Sequence, residues 1–292
     1  MPGERKLKVG LVQMAMSSDV TDNLEKAVRM SEEAASRGAN IICLPELFTT
    51  LYFPREEDPE GKRERGVFLS TIPGLVTETL SDLAERTSTV VIGGSIYEAA
   101  EDGLYNTATV FEKDGRMLGR YRKTHIPHDE CFYEQHYFKP GDTGFLSFPT
   151  SLGKVSALIC YDQWFPEAAR CCALQGAELI FYPTAIGTVR GIGEAEGDWQ
   201  EAWENVMRGH AIANAVPVCA VNRVGTEGDS EFFGGSFVCD AFGKTLARAG
   251  KGEEVLVAEV DMDHGKRVRE GWRFFHNRRP ECYRALVEKG EE

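Results

Sequence analysis

The sequence predicts an α/β protein with mixed sheets, and two observations carry that expectation. Short apolar runs rich in Val and Ile alternate with segments of helical period, the pattern of strands joined by crossover helices. Turn signals such as Lys113-Asp114-Gly115 also join neighbouring runs directly, which puts antiparallel pairs beside the parallel ones. No Pro/Ser/Gly-rich linker and no repeat divides the 292 residues, so a single domain is expected over 1–292.

Taken in order, Lys8 to Met14 (KVGLVQM) reads as a first strand. Asp22, with Glu25 three residues later, resembles a capping box, and Leu24, Ala27, Val28, Ala34 and Ala35 give the following helix an apolar face that ends before Gly38. Ile41 to Leu44 is a second strand, followed by a turn at Pro45-Glu46-Leu47-Phe48. A helix over Thr77 to Thr87 leads into a strand over Val90 to Tyr97, and Tyr105 to Phe111 pairs with Gly119 to Arg122 across the hairpin. From Lys123 to Thr143 (KTHIPHDECFYEQHYFKPGDT) the period is lost, while Lys, His, Asp, Glu and aromatics crowd together. A long irregular loop of this composition commonly carries function.

The centre of the chain is Lys154 to Ala185 (KVSALICYDQWFPEAARCCALQGAELIFYPTA), a strand, helix, strand unit. Its first run ends at Cys160, Pro166 suits the first turn of a helix, and Leu179 to Tyr182 is the second strand. Cys160 therefore stands where a strand hands over to a helix, with the N–H groups of the following turn directed at the same space. Glu46, also just past a buried strand, would share that sheet edge if the two strands run parallel.

Beyond this unit, Asp198 to Ala215 reads as a helix whose Trp199, Trp203, Val206, His210 and Ala213 are packing residues. Val218 to Val221, Ser236 to Asp240, Thr245 to Ala247 and Val255 to Val260 are further strands. Residues 262–292 form a C-terminal tail, basic and aromatic over Arg267 to Glu288, expected to dock at an oligomer interface.

Composition narrows the functional classes. A formal net charge of -13 disfavours nucleic acid, whose binding draws on clustered Lys and Arg, and it is compatible with a cationic ligand. No apolar run reaches the roughly 18 residues of a membrane span, and the polar start MPGERKLKVG lacks a secretory core, so a cytoplasmic protein is expected. Eight cysteines without CxxC pairs or His/Cys metal spacing read as reduced thiols, with no disulfide framework and no metal site.

Glu46 in LPELF, Lys123 in YRKTHIP and Cys160 in ALICYDQWFPEAAR stand in the chain with YFKPGDTGF, VMRGHAIANAVPVCAVNRVG and RRPECY. In these motifs and their order the sequence resembles the nitrilase, or carbon-nitrogen hydrolase, superfamily from its first strand to near its end. The resemblance implies a four-layer α-β-β-α sandwich of two mixed sheets, assembled as a homodimer or higher homo-oligomer through its helices. It implies a catalytic triad at Glu46, Lys123 and Cys160, a second glutamate at Glu134, a small-molecule ureido-amine substrate, and no cofactor or metal. Tyr161, Trp164, Thr184 and Ala185 are expected to line the pocket. Two departures bear on its shape: Tyr161 stands where relatives often carry Trp, and His128-Asp129-Glu130-Cys131 replaces a glycine-rich loop.

The chemistry explains the residue types. A ureido carbon is a poor electrophile because two nitrogens donate into it, so a strong nucleophile and a charge clamp on its oxygen are required. A thiol of ordinary pKa about 8.5 must be turned into a thiolate. Glu46 would take that proton and return it to the leaving amine. Lys123, which would also favour the thiolate, and the N–H after Cys160 would hold the oxyanion; one such donor is worth about 3 to 4 kcal/mol in a serine protease. Glu134 would orient Lys123 or help activate water. The substrate's distal ammonium needs a carboxylate or aromatic partner, from Asp129, Glu130, Glu194, Glu196 or Tyr133. The alternatives are an N-carbamoyl amino acid or ω-amide, for which Arg190 is a candidate anchor, and a non-catalytic oligomeric scaffold, which would have no use for three such groups together.

Overall fold

Alternate side chains of the first strands enter two different cores. In the computed structural model, which describes residues 5–61, 69–192 and 196–288, β1 (Lys6–Gln13) sends Val9 and Leu11 to one side and Val12 to the other. After α1 (Val20–Ser36), β2 (Ile41–Cys43) repeats this, with Ile41 and Cys43 facing one core and Ile42 the other. A period of two on strands buried on both faces calls for a covering layer on each side.

The first sheet continues through β3 (Leu69–Ser70), α2 (Leu75–Thr87), β4 (Val90–Ile92), β5 (Ile96–Ala100), β6 (Gly103–Phe111) and β7 (Met117–Arg122). The second half of the chain opens with β8 (Phe148–Thr150), β9 (Gly153–Ala157), α3 (Pro166–Leu174), β10 (Leu179–Pro183), β11 (Gly187–Val189) and α4 (Trp199–Asn214). It closes with β12 (Val218–Val221), β13 (Val224–Glu227), β14 (Ser230–Phe233), β15 (Phe237–Cys239), β16 (Thr245–Arg248), β17 (Glu254–Asp261) and α5 (His264–Trp272). An eight-stranded sheet runs β17-β1-β2-β4-β6-β5-β3, with β7 on β6, and a six-stranded sheet runs β16-β15-β12-β10-β9-β8. A small third sheet, β11-β14-β13, lies apart from both.

Leu24, Ala27 and Ala34 of α1 and Leu80, Leu83 and Ala84 of α2 cover one face of the large sheet. Its other face packs through Val9, Ile41, Val90 and Val110 against Val155, Leu179, Cys219 and Val238 of the second sheet, while Ala169 of α3 and Met207 of α4 join the same core from outside. The order of layers is α-β-β-α, as expected. Both sheets are mixed: β1, β2 and β4 are parallel, as are β9, β10 and β12, whereas β6 and β15 pair antiparallel to their neighbours.

Three boundaries differ from expectation. The N-cap of α1 is Asp19, whose Oδ1 accepts from the N–H groups of Thr21 and Asp22, so the helix starts before the Asp22 box. The run Val90 to Tyr97 is two strands, broken at Gly93-Gly94. Gly94 has φ +52°, and a Cβ there would lie 2.2 Å from the Pro45 carbonyl oxygen. That break lets the turn carrying Glu46 come close. The central strand stops at Ala157, and Cys160 to Trp164 form a 3₁₀ turn.

The tail is docked in part on its own chain. Arg269 donates to the carbonyls of Asn214 and Ala177, whereas Trp272, Leu286 and Val287 are exposed. Glu194 and residues 289–292 lie outside the described residues. Among the described residues no helix is long and apolar enough to cross a membrane, and no group of three His, Cys, Asp or Glu is placed to hold a metal ion.

Candidate active site

Glu46 follows β2 in a turn clamped by the β4–β5 break: Ser95 N–H donates to Pro45 O at 3.2 Å, and Leu47 N–H donates to Ser95 Oγ at 3.0 Å. Leu47 itself holds φ +46°. Strand β7 is antiparallel to β6, which is antiparallel to β4, so β7 runs with β2 and delivers Lys123 at the same end of the sheet. The Lys123 N–H donates to the Asn106 carbonyl at 2.8 Å, and the Asn106 side chain donates to Glu46 Oε1 at 2.8 Å. One β6 residue thus sets the positions of both charged partners.

Lys123 Nζ donates to Glu46 Oε1 at 2.9 Å and to both oxygens of Glu134 at 2.7 Å. All three side chains are fully buried. Glu134 is carried on a 3₁₀ turn (Glu134–His136) of the irregular loop, and Tyr52 Oη donates to its Oε1 at 2.6 Å. Glu46 Oε2 is buried and has no hydrogen-bond partner among the described residues.

Cys160 begins the turn after β9 with φ +42°, a left-handed conformation that a cysteine adopts only when its surroundings impose it. The sequence reading missed Asp162, which imposes it here. Its Oδ2 accepts from the Ile159 N–H at 3.0 Å and from Tyr121 Oη at 2.8 Å, and its Oδ1 accepts from the His125 N–H at 3.1 Å and lies 2.7 Å from His125 Nδ1. The His125 ring stacks on Phe165 with centroids 3.6 Å apart. One buried carboxylate therefore ties the elbow of Cys160 to segment 121–125, which carries Lys123. The available signal was an Asp two residues into a turn, where short side chains bond nearby backbone. The expectation of a common sheet edge is corrected: Cys160 follows a strand of the six-stranded sheet, Glu46 and Lys123 follow strands of the eight-stranded one, and they meet across the sandwich.

With both carboxylates ionised the cluster carries one excess negative charge, and the titrations follow from that. Burial opposes the Lys123 ammonium, but Glu134 and Glu46 outweigh it and hold Lys123 far above the ordinary lysine range. Burial, opposed by Lys123 and reinforced by Glu46, pushes the Glu134 carboxyl up to about 7. Burial and the negative charge of Glu46 raise the Cys160 thiol despite Lys123. Lys123 does favour the thiolate, as expected, but burial and the two carboxylates outweigh it.

Cys160 lines a cavity of about 470 Å³ with Tyr52, Glu134 and Gln163, while Glu46 and Lys123 lie outside its lining. Of the residues expected around it, Tyr161, Trp164, Ala185 and Glu130 line it, and Asp129, Glu196 and Asp198 do so too. Tyr133 does not; its ring stacks on His136. Thr184 does not either: it is buried behind the wall, donating to Gln163 Oε1 at 3.3 Å. Among the described residues no Lys or Arg lines the cavity. Arg190, the candidate anchor for a carboxylate, has a side chain 80% exposed beside Asp229.

A thiol at a strained elbow that lines a cavity, beside a buried Lys flanked by two carboxylates, is the equipment of a hydrolase that opens C–N bonds by covalent catalysis. The chain belongs to the carbon-nitrogen hydrolase family, whose model matches residues 8–270. It is 43% identical to the N-carbamoylputrescine amidase of Solanum tuberosum, over 97% of this chain and 95% of the relative. It is also 37% identical to the citrullinase of Francisella tularensis subsp. tularensis (strain SCHU S4 / Schu 4), over 97% and 99%. Among solved structures, a carbon-nitrogen hydrolase from Helicobacter pylori G27 superposes with a TM-score of 0.90 at 39% identity, over 98% of this chain and 100% of the other. The chain is accordingly a hydrolase acting on amides.

Proposed function

We propose that the enzyme hydrolyses N-carbamoylputrescine to putrescine, carbon dioxide and ammonia. The observation that carries this reading is the charge of the cavity wall: Asp129, Glu130, Glu134, Glu196 and Asp198 line it, without a Lys or Arg among the described residues. A substrate ending in an ammonium is attracted to such a wall, whereas a free carboxylate is repelled by it. The similarity to plant N-carbamoylputrescine amidases supports the same choice.

In this reading Cys160 Sγ attacks the ureido carbon while its proton passes to Glu46, whose Oε2 is the open acceptor. Burial and the negative charge of Glu46 disfavour a free thiolate, so proton transfer to Glu46 accompanies the attack. The oxygen that gains charge is held by Lys123 and by the Tyr161 N–H. Collapse breaks the bond to the substituted nitrogen, Glu46 returns the proton, and putrescine leaves a thiocarbamoyl group on Cys160. Water, deprotonated by Glu46, adds to that group; collapse breaks the C–S bond, Glu46 returns its proton to Sγ, and the carbamic acid released decomposes to carbon dioxide and ammonia. Glu134, bonded through both oxygens to Lys123, keeps Nζ in place.

Ammonia release from N-carbamoylputrescine, citrulline and N-carbamoyl-β-alanine tests the reading. A clear preference for the first is expected, and equal or faster release from either carboxylate-bearing compound would refute it. Neutralising the rim is expected to act on binding alone. The double variant Glu130→Gln/Glu196→Gln should raise KM for N-carbamoylputrescine about tenfold with kcat nearly unchanged, since partly exposed ion pairs contribute about 1 kcal/mol or less each.

The raised Glu134 carboxyl makes a separate prediction about stability. Its pKa in the folded protein, about 7, lies above the ordinary 4.5. Between those values the folded state holds a proton that the unfolded chain has released, so this stability is complete below 4.5 and lost as pH rises through 7. Thermal melting from pH 4.5 to 8 should therefore show less decline for Glu134→Gln than for the wild type.

We also read the protein as a cytoplasmic homo-oligomer in polyamine synthesis, folded as one domain with 262–292 at the contact between copies. The exposed Phe242, Trp272, Leu286 and Val287 support that reading of the tail.

A further inference from the structure

Gln163 carries a polar group that the mechanism above does not use. Its side chain is fully buried, and it lines the cavity beside Cys160. One terminal atom of its amide accepts from Trp203 Nε1–H at 2.8 Å. An indole N–H can only donate, so that atom must be the oxygen. Thr184 Oγ1 donates to the same oxygen at 3.3 Å, and the Gln163 carbonyl lies 2.7 Å from His210 Nε2. The amide is thereby fixed with Nε2 as its other end, and Nε2 is buried without a partner among the described residues. A buried N–H pair left unmatched is destabilising, and such groups in folded proteins call for an explanation.

The position suggests what completes it. Cys160 and Gln163 are the first and fourth residues of a 3₁₀ turn, whose side chains three apart lie on one side. A ureido amine offers one good hydrogen-bond acceptor, the carbonyl oxygen; its other polar atoms are N–H donors or the ammonium. We infer that Gln163 Nε2 donates to the ureido oxygen and strengthens that bond as the oxygen becomes negative, making Gln163 a further catalytic residue beside Lys123 and the Tyr161 N–H. This inference rests on the ureido-hydrolase reading above. It also gives Thr184 and Trp203 a task, since they hold the amide oxygen and so aim the nitrogen.

The test uses the full-length enzyme with two variants, Gln163→Glu, which keeps the acceptor for Trp203 and loses the donor, and Gln163→Met, which loses both. Each is expected to lower kcat on N-carbamoylputrescine about 100-fold or more, as loss of one donor to a developing oxyanion does. Competitive inhibition by putrescine is the control, because putrescine has no acceptor for this group and its Ki should stay within about twofold. A Gln163→Met enzyme with wild-type kcat would overturn the inference, even if added charge slowed Gln163→Glu. A rise in putrescine Ki matching the loss in kcat would assign Gln163 to structure and overturn it equally. If the wild type itself releases no ammonia from N-carbamoylputrescine, the function reading fails first, and the two failures are distinguishable.

Discussion

Replacing Cys160 with Ala is expected to lower ammonia release from N-carbamoylputrescine by about 10⁴-fold or more, to the assay blank, as loss of a covalent nucleophile does. No other cysteine is placed to substitute. Cys43, Cys172, Cys219 and Cys239 are buried in the hydrophobic core, and Cys131, Cys171 and Cys282 do not line the cavity. The substitution removes a positive-φ side chain that is largely buried, so some loss of stability is expected, but the Asp162 bonds to Ile159, Tyr121 and His125 remain to hold the turn. The check is steady-state ammonia release by the purified variant, and retention of a tenth of wild-type activity would exclude Cys160 as the nucleophile.

Glu46→Gln is expected to reduce kcat by about 10³-fold while the protein stays folded and binds putrescine normally, in the range found for general acid–base groups. The substitution is isosteric. Its Oε1 can still accept from Asn106 and Lys123, and only the open Oε2 position changes, from a proton acceptor to an N–H donor. A second consequence follows from the charge balance. Glu46 is one of the causes that raise the Glu134 carboxyl, so its neutralisation leaves Lys123 and Glu134 as a balanced pair and brings the Glu134 titration down. Presteady-state putrescine release checks the first effect and the pH dependence of melting the second. A full burst of putrescine from Glu46→Gln would remove Glu46 from the role of base.

The alternation of apolar runs with helical segments was enough to read an α/β protein, because strands buried on both faces cannot be polar, and the hairpin turns showed mixed sheets; the two-sheet sandwich came from the family resemblance. What escaped was backbone geometry set by distant contacts. Val90 to Tyr97 is uniformly strand-like in composition, and only the approach of Pro45 to Gly94 explains why it divides. Glu46 and Cys160 were visible because each follows an apolar run at a turn, Lys123 because it opens the irregular loop, and the family resemblance joined the three. That they come from two sheets was not visible, since nothing local in Ile41 to Glu46 or Val155 to Cys160 states which sheet a strand joins. Asp162 and Gln163 went unread for a related reason: both look like ordinary turn residues until Tyr121, His125, Thr184 and Trp203, up to 41 positions away, are found bonded to them. Thr184 was placed at the pocket by the family resemblance and Tyr133 as a candidate partner for the ammonium, and the bond to Gln163 and the His136 stack turn them elsewhere.

The covalent thiocarbamoyl intermediate is the centre of the account, and hydroxylamine partitioning tests it most directly. Hydroxylamine competes with water for the carbamoyl group on Cys160 and yields hydroxyurea. The measurement is the ratio of hydroxyurea to ammonia formed from N-carbamoylputrescine and from a second ureido amine with a different leaving amine, at one hydroxylamine concentration. A common intermediate predicts the same ratio from both substrates, because the leaving amine has departed before the nucleophiles compete. A ratio that changes with the leaving amine would mean that water attacks the substrate directly, and it would contradict the role assigned to Cys160.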